Sequence, residues 1–291
     1  MARPAIAEGR TTSELGLGAA ILAIFLWTAG NLIVRSTPMP GAQIALWRVA
    51  LGAGVYWVLV RARGRRVTWT HLTVSAAAGA AIALELAFFF VAIKSTTVAN
   101  ATVLGALQPL VVIAFGSRHF GERVTPWLIG SAVAAMAGVG LVVFGSSAQP
   151  VWSPRGDVLA FVSMLLFAAY FIFAKSARRE VPALEFQTAA WMVGVVVLAP
   201  VAIIDAGGLV LPSWEQWMWL AVLLAIPGTG HFAMNWAHQH VRLQVSSMLT
   251  LAIPVLSTLG AALVLDESIR GWQLIGMVVV VAALASVIGR S

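Results

Sequence analysis

The chain contains no cysteine. That absence removes disulfides, thiol nucleophiles and Cys-based metal sites, and it leaves the redox compartment open. Charge is scarce too, at 10% of residues, where a soluble globular domain carries about 25%. With 60% of residues hydrophobic, there is too little polar surface to cover a water-soluble fold. Aspartate occurs only at 157, 205 and 266, all near loops, so no intramembrane aspartate pair exists. There is no H-E-x-x-H, no G-x-S-x-G elbow and no P-loop, which argues against metalloprotease and serine-hydrolase chemistry and against direct ATP drive. His238, Gln239 and His240 have no carboxylate or cysteine beside them and read as a solvated loop. Neither metal nor cofactor is expected.

What is present is long apolar runs. Mean hydropathy is +0.92. Ten segments stand out, at roughly 15–35, 41–60, 71–93, 98–117, 125–145, 156–175, 183–204, 214–237, 243–264 and 270–289. A helix needs about 20 residues to cross a hydrocarbon core of roughly 30 Å. The runs show no period-2 alternation, which excludes a transmembrane barrel. The first is too long for the apolar stretch of a signal peptide, and no clear cleavage site follows it, so it is expected to remain as a span. Small residues four apart, Ser75/Gly79 and Ala134/Gly138, suit close helix crossings, although Ala-rich packing alone would also place them.

The net charge of +7 does not point to nucleic acid, because the basic residues fall in short clusters between apolar runs. With the N-terminus inside, thirteen Lys and Arg lie on the cytoplasmic side and four outside, leaving Arg48 within a span. By the positive-inside rule both termini are expected in the cytoplasm of a bacterial-type inner membrane. Trp69, Trp152, Trp214 and Trp217 read as interfacial anchors, and the RARGRR run at 61–66 as a topology and lipid-headgroup cluster.

The chain also repeats itself. QPLVVIAFGSRHFGERVTPW at 108–127 and IPVLSTLGAALVLDESIRGW at 253–272 carry Pro, Glu and Trp at the same spacing, 145 positions apart. FLWTAGNLIVRS at 25–36 matches LFAAYFIFAKS at 166–176 more loosely. Two halves of five spans follow, residues 1–145 and 146–291. Five is odd, so the second half enters the membrane from the opposite side. The fold class is therefore all-α integral membrane, with ten helices in two inverted-topology repeats around a central cavity. That arrangement suits a secondary transporter.

These stretches, together with LWRVALGAG at 46–54 and AIKSTTVANATVLGALQP at 92–109, resemble the drug/metabolite transporter superfamily. The nearest branch is that of the EamA-type ten-helix exporters, which includes bacterial aromatic-amino-acid exporters. The resemblance spans about residues 15 to 289. It implies a basket of ten helices that exports amino acids or other small metabolites by alternating access. One departure is that the second-half counterpart of the first span lacks Trp27 and Asn31.

Candidate site residues come from the polar and aromatic residues inside the spans. Ionisable groups there are functional candidates by default. Arg48 and Glu85 both lie roughly 10–12 Å below the same membrane face, counting 1.5 Å per residue. Equal depth lets them pair with each other; alternatively, Arg48 holds a substrate carboxylate and Glu85 an ammonium or a proton. His231, following Pro227-Gly228-Thr229-Gly230, either titrates or hydrogen-bonds structurally. Gln108, Asn31 and the deep Trp27 and Trp47 complete the substrate-binding set, and Trp191 lies equally deep. Pro109, Pro254 and Pro227 mark kinks, either structural or in the transport path. Pro109 and Pro254 are expected to free the carbonyls of Gly105 and Thr250. Glu122 and Glu267 are expected to stabilise the N-termini of the helices that follow them. The expected partners are a small-molecule substrate and the lipid bilayer, with the chain acting as a monomer. An intramembrane enzyme acting on a lipid-soluble substrate is the alternative reading, and a channel is the third.

Overall fold

Lipid offers no partner to a backbone N–H or C=O, so an apolar chain must satisfy them within each helix. The computed structural model describes residues 4–95, 98–145, 153–265 and 268–290. Among them there are helices and turns and no strand. Ten helices are long and apolar enough to cross a bilayer. They are α1 Pro4–Ser36, α2 Gly41–Ala62, α3 Trp69–Ser95, α4 over 98–120, α5 Pro126–Phe144, α6 Pro154–Ala177, α7 Ala183–Ala206, α8 Trp214–Ala237, α9 over 243–265 and α10 Gly271–Ile288. An even number of crossings puts the start of α1 and the end of α10 on one face, called here the termini face.

The helices sort into two packed groups. α3 lies along α6 and α7, α2 along α7 and α3, and α1 against the end of α8. Their buried side chains form the larger core, around Ile24, Ile44, Ile82, Phe171 and Leu198. α5 and α10 pack along each other over a second core that includes Val139, Met277 and Val280. No hydrophobic effect drives helices together in lipid, so close backbone approach supplies the contact energy. A Cβ added to Gly138 would lie 2.8 Å from the Gly276 carbonyl, and one on Gly276 2.5 Å from the Gly138 carbonyl. The other small pair behaves alike: Gly79 meets the Ala190 carbonyl. The glycine of each pair therefore sits at a close backbone crossing.

Proline marks the irregular helices. α4 breaks at Ala106–Leu107, restarts at Gln108 with Pro109 in its first turn, and takes a π turn over Val112–Gly116. α8 carries its π turn, Leu224–Gly228, around Pro227. α9 breaks at Thr250–Leu251, three residues before Pro254. The expectation that Pro254 leaves the Thr250 carbonyl open is corrected here. That carbonyl accepts the Ile253 N–H at 3.1 Å, a tightened turn that closes the gap locally.

The helix-end expectations change as well. Glu122 does not serve α5, whose N-cap is Thr125, accepting the Leu128 N–H at 3.2 Å. Gly121 turns the chain with φ 68°, and the Glu122 carboxylate crosses instead to the start of α9. There it accepts the N–H groups of Leu243 at 2.8 Å and Gln244 at 3.1 Å. Glu267 and Trp152 lie outside the described residues. Trp69 and Trp214 are well exposed at helix starts, as anchors require, whereas Trp217 packs edge-on against Trp47 at 5.7 Å.

Candidate functional site

A cavity of about 130 Å³ lies among α1, α2, α3, α4, α6, α8 and α9. It runs from the middle of the bundle into the half away from the termini face, because α1, α3, α4 and α6 all contribute residues from their far halves. Its walls are largely apolar, with Phe89, Phe90, Met164 and Phe167 on α3 and α6.

Arg48 is the dominant feature of this cavity. Residues 41–62 form one uninterrupted helix, which fixes Arg48 at 1% exposure. Its Nε and Nη2 have no hydrogen-bond partner among the described residues, and its guanidinium carbon sits 5.7 Å from the centre of the Phe90 ring. Glu85 lines the same cavity, and one carboxylate oxygen accepts the Ser163 hydroxyl at 3.3 Å. The two charges make no ion pair with each other, although ion pairs such as Lys175–Glu122 occur elsewhere among the described residues. Both line the one cavity, yet equal depth does not bring them within ion-pair distance. A buried charge left unpaired costs several kcal/mol, and an unmet buried donor costs about 1–3 kcal/mol. Such costs persist where a ligand meets them.

Other unmet polar atoms surround the same space. The Trp27 indole N–H, the Gln108 amide nitrogen and His231 Nδ1 are buried without partners among the described residues. Gln108 Oε1 accepts the Thr250 hydroxyl at 3.4 Å, which joins α4 to α9 across the floor. The Trp27 ring lies 5.4 Å from Phe167 and 5.0 Å from His231. Asn31, Pro227 and Pro254 line the cavity as well.

Two predicted residues lie elsewhere. Trp47 does not line the cavity; its indole N–H donates to Gln43 Oε1 and to the Val210 carbonyl, both at 3.0 Å, and the ring faces an apolar surface groove. Pro109 is buried behind the cavity-lining Gln108 and does not reach the space. Trp191 packs edge-on against Tyr56 at 5.3 Å and is likewise away from the cavity. The sequence reading missed Ser163, Phe167, Thr250 and Phe89. A signal existed on α6, where Ala160, Ser163, Met164 and Phe167 recur at helical spacing and form the cavity-facing stripe.

A second polar cluster fills the termini half. The Tyr170 hydroxyl donates to Asn235 Oδ1 at 2.7 Å, and Asn235 Nδ2 donates to Gln187 Oε1 at 2.6 Å. In the turn after α6, Arg178 donates to the carbonyls of Asn235 and Val181 and to Gln239 Oε1. Burial lowers its pKa to about 10. His238, in the turn after α8, is 1% exposed, with neither ring nitrogen partnered among the described residues. Burial, with the Lys175 and Arg178 cations, pushes its pKa down to about 3. An unfolded histidine titrates near 6.5. The stability that depends on a neutral His238 is therefore complete above pH 6.5 and declines as the pH falls towards 3. Melting temperature should drop over that window, and His238→Leu should flatten the slope; an unchanged slope would remove His238 as its source.

Comparison with known proteins identifies the architecture. A model of the EamA-like transporter family matches residues 14–144 and again 154–289, one match on each half. The pseudopaline exporter CntI of Pseudomonas aeruginosa is 24% identical over 231 residues, covering 77% of this chain and 78% of the relative. An uncharacterized transporter of Archaeoglobus fulgidus is 26% identical over 193 residues, or 63% and 65% of the two chains. A solved crystal structure superposes with a TM-score of 0.77 at 20% identity, covering 97% of this chain and 98% of the other. The chain belongs to the EamA-like transporter family: it is a multi-pass membrane transporter, not an enzyme, built as ten helices in two inverted repeats.

Proposed function

We propose that the protein exports small zwitterionic carboxylates, amino acids including aromatic ones among them, by alternating access across a bacterial-type inner membrane. The observation that carries the reading is a pair of opposite charges in one cavity without an ion pair between them, with Arg48 Nε and Nη2 unpartnered among the described residues and Glu85 accepting from Ser163. A guanidinium fork matches a carboxylate in two places, and a carboxylate opposite it suits an ammonium. Phe89, Phe167 and Trp27 supply flat apolar walls for a side chain. The relative that exports pseudopaline supports the outward direction. The excess of Lys and Arg on one side supports cytoplasmic termini. Residues 1–145 and 146–291 are the halves that move against each other, and a single chain encloses the whole cavity, so the monomer is the working unit.

Counterflow in proteoliposomes tests this. Vesicles loaded with unlabelled amino acid should take up the labelled one saturably across part of a twenty-amino-acid panel. Phenylalanine should outpace 3-phenylpropanoate, which lacks the ammonium, by about tenfold, equivalent to 1.4 kcal/mol. No uptake of any amino acid above empty vesicles would overturn the reading, and equal rates for the two compounds would remove the role of Glu85.

A further inference from the structure

The two halves of the chain superimpose as sequence, and the cavity is lined unequally by them. Matching α4 to α9 and α3 to α8 at a separation of 145, and α1 to α6 at 140, pairs each lining residue with a mirror position. Some mirror pairs both touch the cavity: Trp27 with Phe167, Leu86 with His231, and Gly105 with Thr250. These are the pivot of the pseudo-symmetry, in the middle of the bundle. Beyond the pivot only one member of each pair lines the space. Gly30, Asn31, Val34, Phe89, Phe90, Ala101 and Thr102 do so, while their mirrors Tyr170, Phe171, Ala174, Met234, Asn235, Ser246 and Ser247 are no more than 1% exposed.

Four of these mirror residues, Tyr170, Asn235, Ser246 and Ser247, are polar. Tyr170 and Asn235 bond to each other, and each serine hydroxyl bonds to the carbonyl three residues earlier. An ordinary apolar core has no need of four such groups on facing helices, because burying hydroxyls and amides costs stability unless each finds a partner. A water-filled passage in another state does need them. We propose that Tyr170, Asn235, Ser246 and Ser247 line a second vestibule that opens to the termini face when the far-side cavity closes, and that Glu122 is the catch that holds it shut. The proposal rests on the alternating-access reading and adds the path and its gate.

The geometry of the catch supports this. Glu122 Oε1 accepts Lys175 Nζ at 3.0 Å and the Leu243 N–H at 2.8 Å, while Oε2 accepts the Gln244 N–H at 3.1 Å. Lys175 also donates to the Val241 carbonyl at 2.8 Å. Gln244 Nε2 donates to Ser117 Oγ at 2.7 Å. One carboxylate thus ties together the termini-face ends of α4, α6 and α9, the ends that must part to uncover Tyr170, Ser246 and Ser247. The charged site itself is not duplicated. Glu85 mirrors to Gly230, and matching Pro40 with Pro182 sets Arg48 opposite Ala190. The cargo therefore keeps one pair of charges while the passages on either side of it exchange.

The absence of native cysteine makes the test clean. Ser247→Cys and Thr102→Cys each create the sole thiol in the chain, and both can be followed by maleimide labelling in nanodiscs. Ser247→Cys should label slowly. Adding Glu122→Gln or Lys175→Met should speed it at least tenfold and slow Thr102→Cys by a similar factor. A variant that merely loosens the fold would speed both, so movement in opposite directions separates gating from damage. Unchanged rates at Ser247→Cys in both catch variants, or a rise at both cysteines, would overturn the proposal. Neither readout depends on cargo. Reciprocal labelling with a silent amino-acid panel would sink only the substrate reading, and active counterflow with flat labelling would sink only the vestibule.

Discussion

Arg48→Ala is expected to lower amino-acid counterflow at least 100-fold while leaving the protein folded. The size follows from a charge-assisted contact worth about 1.5–3 kcal/mol plus the loss of alignment of the substrate carboxylate in the cavity. The second half of the expectation comes from what Arg48 does not do. Its Nε and Nη2 bond to nothing among the described residues, and it makes no ion pair with Glu85. Removing a buried charge that the fold does not satisfy should leave the melting temperature unchanged or raise it. Arg48→Lys should restore little flux, because an ammonium lacks the planar two-pronged geometry. Thermal melts and counterflow on the same preparations check both halves. Wild-type flux in Arg48→Ala would remove it from the site, and a fall in melting temperature that parallels the loss of flux would make it a scaffold residue.

Most of the fold was legible because membrane helices obey a length and hydropathy rule that needs no tertiary information. Segments read as 41–60, 125–145 and 214–237 emerge as Gly41–Ala62, Pro126–Phe144 and Trp214–Ala237. α1 runs further, from Pro4, because a helix can continue into water beyond its apolar stretch. The charged members of the site were legible for a related reason: in a chain this apolar, an ionisable residue within a span stands out. Azimuth was not legible. Depth alone admitted Trp47 to the site and allowed Arg48 and Glu85 to pair. The packing turns Trp47 outward to Val210 and leaves the two charges without an ion pair. Ser163 and Thr250 were invisible because a small hydroxyl on an apolar helix commonly bonds back to its own backbone, and only the facing helix reveals a second partner. Glu122 was expected to serve its own following helix. It serves α9 from the other repeat, a contact 121 residues away in sequence that no local pattern encodes.

Gly52→Ala, the smallest possible enlargement, is expected to disrupt assembly of the two halves, with a loss of about 3 kcal/mol or more. Over-packing a tight core costs typically about 1–3 kcal/mol when neighbours can shift, and here they cannot. A Cβ at Gly52 would sit 1.7 Å from Cζ3 and 2.1 Å from Cε3 of Trp191. Trp191 is 1% exposed and held edge-on by Tyr56 at 5.3 Å. Leu224 lies 3.0 Å from the same added atom and crowds it further. The contact joins α2 of the first half to α7 of the second, so the strain falls on the seam that orders the repeats against each other. Fluorescence size-exclusion and thermal scans should show Gly52→Ala as poorly monodisperse or sharply destabilised. Trp191→Leu alone should also destabilise, by leaving a void beside Gly52. Because the two changes occupy one space, the double variant should be more stable than the sum of the two losses predicts, with a coupling on the order of 1–3 kcal/mol. Additive losses, or a Gly52→Ala protein that melts like the parent, would show that the α2–α7 seam yields where the packing says it is rigid.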